Sequence, residues 1–214
     1  MFMLKSIINI AVLSSLVYIS GCCPKTESEV NESNAVVDAI LARRSIRHYT
    51  DNPVSRDTLE LLAKCGINAP NARNLQEWAI RIVDSKDYLE GATDIMKAGM
   101  PAIANQDDPK FRNGFRNATA VIFVATPEDS SGMLDVNAGA LCENICLAAH
   151  SMGLGSIVMG GPIMFLNNAP EAKPYLDRLN LPEGYRLRIC VGVGYPDETP
   201  DAKPRDESKV MFVD

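Results

Sequence analysis

The sequence predicts a mixed domain, α+β or α/β, in which helices cover a central sheet. Two observations predict it. Short runs rich in branched residues, "WAIRIV" (Trp78–Val83), "ATAVIFVA" (Ala118–Ala125), "SIVMGG" (Ser156–Gly161) and "RLRICVGVGY" (Arg186–Tyr195), read as strands. Segments with apolar residues at helical spacing fall between them.

The elements follow in order. Ala35–Leu41 reads as a short helix, with Val36, Val37, Ile40 and Leu41 recurring at helical spacing. Pro53 breaks the chain, and Ser55 caps a second helix with Asp57 and Glu60 near its positive end. That helix carries Leu59, Leu62, Ala63, Gly66 and Ile67 on one face, and Pro70 ends it. The strand at 78–83 leads to a helix over 86–98, then a polar, irregular loop over 99–117 with at most one helical turn. The continuous apolar run at 118–125 reads as a strand buried on both faces. Asp135–Met152 is the longest helix, with Gly153 as its C-cap. Its apolar residues span more of the circumference than one side of a sheet covers, and Ala138, Gly139, Ala140, Ala148 and Ala149 permit close helix approach, which predicts a homodimer. A modest helix over Asn168–Leu179, the last strand and a proline-spaced tail complete one domain, residues 35–214, with no internal repeat.

The N-terminus reads differently. One lysine, Lys5, precedes an uncharged run from Ser6 to Gly21 that is short for a membrane span and resembles a secretory signal. Ile19-Ser20-Gly21-Cys22 resembles a bacterial lipobox, so residues 1–21 are expected to be a lipoprotein signal peptide and Cys22 the lipidated residue. A plain signal peptide or an uncleaved anchor is the plainer alternative. Residues 22–34, polar and poor in apolar residues, read as a tether. The expected location is the cell envelope, outside the cytoplasm, with the membrane reached through the lipid alone.

Composition excludes several classes. The formal net charge is −6, which argues against nucleic acid as a partner. The six cysteines make no disulfide framework: Cys22 and Cys23 belong to the anchor, Cys142 and Cys146 sit one helical turn apart, and Cys65 and Cys190 are single. With only His48 and His150, and no CxxC, a zinc site lacks ligands. Gly153-Leu154-Gly155 lacks the third glycine of a dinucleotide fingerprint, and Gly192-Val193-Gly194 runs into Tyr195-Pro196. There is no phosphate-loop motif and no nucleophile elbow.

What stands out is "RRSIRHY" (Arg43–Tyr49), three arginines and a serine just after the first helix. Planar guanidinium forks suit a phosphate and polar ring edges. Lys203-Pro204-Arg205 repeats the theme far along the chain. "APNARNLQEW" (Ala69–Trp78) offers small and amide side chains before a strand, and Gly160-Gly161 lets backbone N–H groups approach a flat ligand. Taken singly, each is ordinary: a solvated helix end, a turn, a joint, a surface segment.

In order, these stretches resemble the FMN-dependent nitroreductase family, together with "DVNAGALCENICLAAHSMGLGS" (Asp135–Ser156), "MGG", "VGVGYP" and "KPR". The resemblance covers residues 35–205. It implies an α+β fold, a central, mostly antiparallel sheet flanked by helices, in a domain-intertwined homodimer with FMN at the interface. It further implies that Arg43, Ser45, Lys203 and Arg205 hold the FMN phosphate and ribityl chain, with Arg44 contributing through its backbone and packing. Arg47 would approach the flavin N1–O2 side. Pro70, Asn71, Ala72 and Asn74 would come from the other subunit, and Gly160 and Gly161 would sit by N5. The implied activity is ping-pong hydride transfer through FMN to a flat acceptor such as a nitroaromatic or quinone, with NAD(P)H as donor and no side-chain nucleophile. The alternatives are a non-catalytic flavin-binding or structural lipoprotein, or a specialised member of reductive dehalogenase or flavin-fragmenting type. Glu77 stands where the family often has proline, and residues 84–117 carry no family motif, leaving Asn113 as the candidate ring contact there.

Overall fold

The computed structural model describes residues 34–99, 108–128 and 132–213. The predicted signal segment, Cys22 and all of the tether except Asn34 lie outside the described residues, as does the 100–107 part of the predicted loop. Ten elements follow one another: α1 (Ala35–Ala42), α2 (Arg56–Ile67), β1 (Ala79–Val83), α3 (Lys86–Gly99), β2 (Ala120–Pro127), α4 (Met133–Ser151), β3 (Gly155–Met159), α5 (Gly161–Asn168), α6 (Lys173–Arg178) and β4 (Tyr185–Gly194).

The four strands form one sheet in the order β1-β2-β4-β3, and every pairing is antiparallel. This decides for α+β over α/β. β2 lies inside the sheet and is buried on both faces, as its apolar run requires. Its side chains alternate between two cores. Val121, Phe123 and Ala125 face one core with Tyr88, Leu89, Ile163, Leu166 and Leu187. Ala120, Ile122 and Val124 face the other with Leu59, Leu62, Leu141 and Ile145. Thus α3 and α5 cover one face, and α2 and α4 the other. Each fully buried Leu, Ile or Phe here contributes roughly 1.5–3 kcal/mol.

The caps follow the residue types. Asn34 accepts the Val36 N–H at 2.9 Å and starts α1. Ser55 accepts the Thr58 N–H at 3.2 Å and starts α2. α4 ends as predicted: Gly153, at φ +74°, donates to His150 O at 3.0 Å, and Leu154 donates to Ala149 O at 2.9 Å. Only glycine takes that left-handed position without strain.

One element differs from expectation. The sequence reading runs a strand into Gly160-Gly161 and begins the next helix at Asn168. The chain instead enters α5 at Gly161, and Asn168 is its last residue; a 3₁₀ turn at Pro170–Ala172 and α6 follow. The reason is Pro162. At the first turn of a helix its fixed φ is an advantage, because the missing N–H has no partner there anyway.

Candidate functional site

The site begins with the segment leaving α1. Ser45 bridges in parallel to Ser156 of β3, and Ile46 N–H donates to Ser156 O at 3.0 Å. Tyr49 then bridges to Pro196, Thr50 N–H donates to Tyr195 O at 2.8 Å, and Asp197 N–H donates to His48 O at 2.9 Å. Residues 45–50 are therefore clamped between β3 and the chain that follows β4. Glycine makes this possible. A Cβ on Gly155 would meet Ile46 Cγ1 at 2.8 Å, and one on Gly194 would meet Tyr49 Cδ1 at 2.7 Å, so the strip lies flat only because these positions are bare. Tyr49 is buried, its hydroxyl donates to Ile46 O at 2.7 Å, and burial pushes its phenol well above the ordinary value.

Within this strip the arginines take separate tasks. Arg43 is half-buried, with its Nε 3.8 Å from Glu143 Oε1 on α4. Arg44 folds back, its guanidinium donating to Leu41 O at 2.7 Å and Arg43 O at 2.9 Å. The Ser45 hydroxyl has no partner among the described residues. Arg47 is exposed and donates only to Ser45 O, at 3.1 Å, while its backbone N–H and that of His48 both donate to Glu198 Oε1. Glu198 was not singled out by sequence; a lone glutamate in a proline-spaced tail carries no signal.

Beyond the strip, β3 runs into Gly160 and α5. A Cβ on Gly160 would meet nothing within 4 Å, and no side chain caps α5. Bare N–H donors thus stand beside open space. The Pro70–Asn74 loop is held by its own amides. Gln76 N–H donates to Asn71 Oδ1 at 3.0 Å, and Ala72 N–H donates to Asn137 Oδ1 on α4 at 3.3 Å. Arg73, Asn74 and Gln76 all have left-handed backbones, at φ 53°, 55° and 52°. Strain of that kind gathers at ligand-contacting loops. Pro70 and Asn74 are exposed, and Asn71 and Ala72 half-buried.

Lys203 and Arg205 lie in the exposed tail. The Arg205 guanidinium turns back to Lys203 O at 3.1 Å and Pro204 O at 3.4 Å, and the pair shares no partner with Arg43 among the described residues. Asn113, the candidate ring contact, is engaged by its own loop. It is buried, its Nδ2 donates to Ala118 O at 2.9 Å, and its Oδ1 accepts the Phe115 N–H at 3.0 Å, so the amide shapes the loop before β2. The residue missed there is Arg116. It lines a cleft of about 140 Å³ with Arg47, His48, Asp108, Phe111, Asn113 and Asn117. The central-helix thiols are inert: burial pushes Cys142 up to about 12 and raises Cys146, against a smaller opposite pull from the Ser156 hydroxyl and Arg43.

A strip bearing arginines, laid on β3 by two bare glycines and leading to an uncapped helix start, is what a match over residues 40–195 to the nitroreductase family explains. The chain belongs to that family. Similar nitroreductase-type relatives include the NADPH-flavin oxidoreductase of Vibrio harveyi, 27% identical over 83% of this chain and 72% of its own length. The oxygen-insensitive NADPH nitroreductase of Salmonella typhimurium is 27% identical over 79% and 69%. Among solved structures, an FMN-bound nitroreductase from Desulfitobacterium hafniense superposes with a TM-score of 0.74 at 27% identity, covering 85% of this chain and all of that one. The residues present fit FMN. A half-buried guanidinium and an unpartnered hydroxyl suit its phosphate, and bare backbone donors beside Gly160 suit the polar edge of a flat ring.

Proposed function

We propose that this nitroreductase-family chain is an FMN-dependent oxidoreductase that accepts electrons from NAD(P)H and passes them to a flat acceptor. The arginine strip, fixed on β3 at Ser45–Ser156, is the observation that carries the assignment, joined to relatives named NADPH-flavin oxidoreductase and nitroreductase. FMN, when bound, supplies two-electron hydride chemistry. The chain's own residues supply the rest. Arg43 and Ser45, with Lys203 and Arg205 brought in from the tail, hold the phosphate. Arg47 sets positive charge beside the N1–O2 edge, and Gly160 and Gly161 present backbone at N5. No side chain acts as a nucleophile, which agrees with the protonated, buried thiols.

The working unit in this reading is a homodimer. α1 has no buried residue, and Val36, Val37, Ile40 and Leu41 are 62%, 43%, 51% and 70% exposed. On α4 Met133 and Val136 are exposed, as is Met152 just past its end, and a Cβ on Gly139 would meet nothing within 4 Å. Apolar surface of this extent favours a partner, here a second copy. The partner's Pro70–Asn74 loop would then complete the flavin site. The Ile19-Ser20-Gly21-Cys22 sequence supports attachment of the mature chain to the cell envelope through a lipid on Cys22. A Cys22→Ala variant should leave the membrane fraction or remain uncleaved.

Two anaerobic half-reactions test the function. NADPH should bleach the flavin of FMN-loaded protein, and a nitroaromatic should restore its colour. One hydride equivalent and one proton convert the nitro group to nitroso plus water. Bound flavin that neither NADPH nor NADH reduces would rule out the nicotinamide donor.

A further inference from the structure

The cleft shared by Arg47 and Arg116 holds more cationic than anionic groups among the described residues. Arg116 and Asn117 occupy successive left-handed positions, φ 55° and 64°, in the loop just before β2. The pose is pinned. Asn117 Oδ1 accepts the Arg112 N–H at 2.8 Å, and Asn117 Nδ2 donates to Arg47 O at 3.1 Å, tying the loop to the arginine strip. Arg116 is exposed and makes no hydrogen bond, ion pair or ring contact among the described residues. Arg47, across the cleft, uses one N–H on its neighbour Ser45 and keeps the rest of its fork.

A second, independent observation lies in the same cleft. His48 Nδ1 is buried without a hydrogen-bond partner, 3.8 Å from Asp108 Oδ2. Asp108 is the only acid lining the cleft among the described residues, and its Oδ1 is taken by the Lys110 N–H at 2.8 Å. Among the described residues two arginines therefore share the cleft with one carboxylate, which is engaged by the Lys110 N–H and lies beside His48 Nδ1. The fork geometry of the two arginines bears on the ligand class. A volume of about 140 Å³ admits a planar group with two adjacent acceptor atoms, and two guanidinium groups match such a group in fork geometry.

We propose that Arg116 and Arg47 clamp a planar anion with paired acceptors, and that Arg116 is a ligand-contacting residue of the oxidoreductase site. Two sources carry this chemistry: the N1–C2=O edge of reduced flavin and a carboxylate on the acceptor. The inference rests on the functional reading above, and the experiment separates them.

Arg116→Asn removes the charge while keeping a residue that tolerates the left-handed backbone, and Arg116→Lys keeps the charge without the fork. Affinities for oxidised FMN and for dithionite-reduced FMN are measured anaerobically, alongside reoxidation of the reduced holoenzyme by 4-nitrobenzoate and by nitrobenzene. If the flavin edge is the anion, Arg116→Asn weakens reduced FMN roughly tenfold more than oxidised FMN, lowering the midpoint potential by about 30 mV. If the acceptor supplies it, Arg116→Asn raises the half-saturating 4-nitrobenzoate concentration roughly tenfold and leaves nitrobenzene unchanged. Arg116→Lys falls between wild type and Asn in either case. Folded variants that change neither ratio overturn the clamp. Should wild type take up no FMN, the functional reading falls by itself. Calorimetry of 4-nitrobenzoate with the flavin-free protein then decides the clamp: binding that Arg116→Asn abolishes sustains it, and no binding overturns it.

Discussion

Replacing Gly155 with alanine should lift the arginine strip from β3. The added Cβ would lie 2.8 Å from Ile46 Cγ1, 2.9 Å from its Cβ and 3.0 Å from its Cγ2. Ile46 is branched at Cβ and buried, so it cannot swing aside. Carbon contacts relax at about 3.5–4.0 Å, so the strip must retreat by roughly 0.7 Å. The Ile46 N–H to Ser156 O bond is 3.0 Å long, and that displacement takes it beyond hydrogen-bonding range. Overpacking costs about 1–3 kcal/mol. The lost bond adds about 0.5–1.5 kcal/mol. Stiffening of the unfolded chain returns about 0.4–1 kcal/mol. The net loss is about 1–3.5 kcal/mol, or roughly 2–14 °C in Tm for a domain of this size. FMN affinity should fall with it, because Ser45 and Arg47 ride on the strip. Thermal unfolding and flavin titration read the two effects. In an Ile46→Gly background, which removes the Cβ as well as both Cγ atoms, the same Gly155→Ala change should cost under about 0.5 kcal/mol, since all three clashing atoms are gone. An unchanged Tm and FMN affinity for Gly155→Ala, or an equal cost in both backgrounds, would refute the reasoning.

Other outcomes are as definite. Arg205→Ala should weaken FMN binding roughly 10- to 150-fold, the worth of one charge-assisted hydrogen bond, and leave riboflavin nearly unaffected; an equal loss for riboflavin would show that Arg205 does not read the phosphate. Gly139→Arg should convert the dimer to monomer in sedimentation and release FMN, because an unpaired charge would be buried in the interface; a monomer with full flavin would sink the shared site. At pH 8 a thiol at about 12 is ionised in roughly one molecule in ten thousand. Native iodoacetamide labelling should therefore reach half-buried Cys65 well before Cys142, Cys146 or Cys190, with Cys142 labelled only on unfolding; Cys142 reacting as fast as Cys65 in the native protein would contradict its burial.

The sheet and its covering helices were readable because burial leaves a period in the sequence. The apolar run of β2 reports two-sided burial directly, and the apolar positions of α4 report the face it packs on the sheet. α5 was not readable, since Gly160-Gly161-Pro162 gives the same local signal for a joint as for a helix start. In the site, Arg43–Arg47 stood out as a cluster, but the division of labour among those arginines depends on partners far along the chain. Glu198 is 151 residues from Arg47 and meets it only through the run after β4. Arg116 was invisible for a related reason. Its significance lies in a left-handed backbone and in sharing a cleft with Arg47, and neither is encoded by spacing. Asn113 shows the converse, a polar residue picked out by type alone whose amide is also engaged by its own loop.

The most direct test of the central claim is the visible spectrum and flavin content of the purified chain after incubation with FMN and removal of the excess. The account predicts a yellow protein with one FMN per chain, in a dimer, whose colour is lost on adding NADPH without oxygen. A colourless protein that retains no FMN would contradict it.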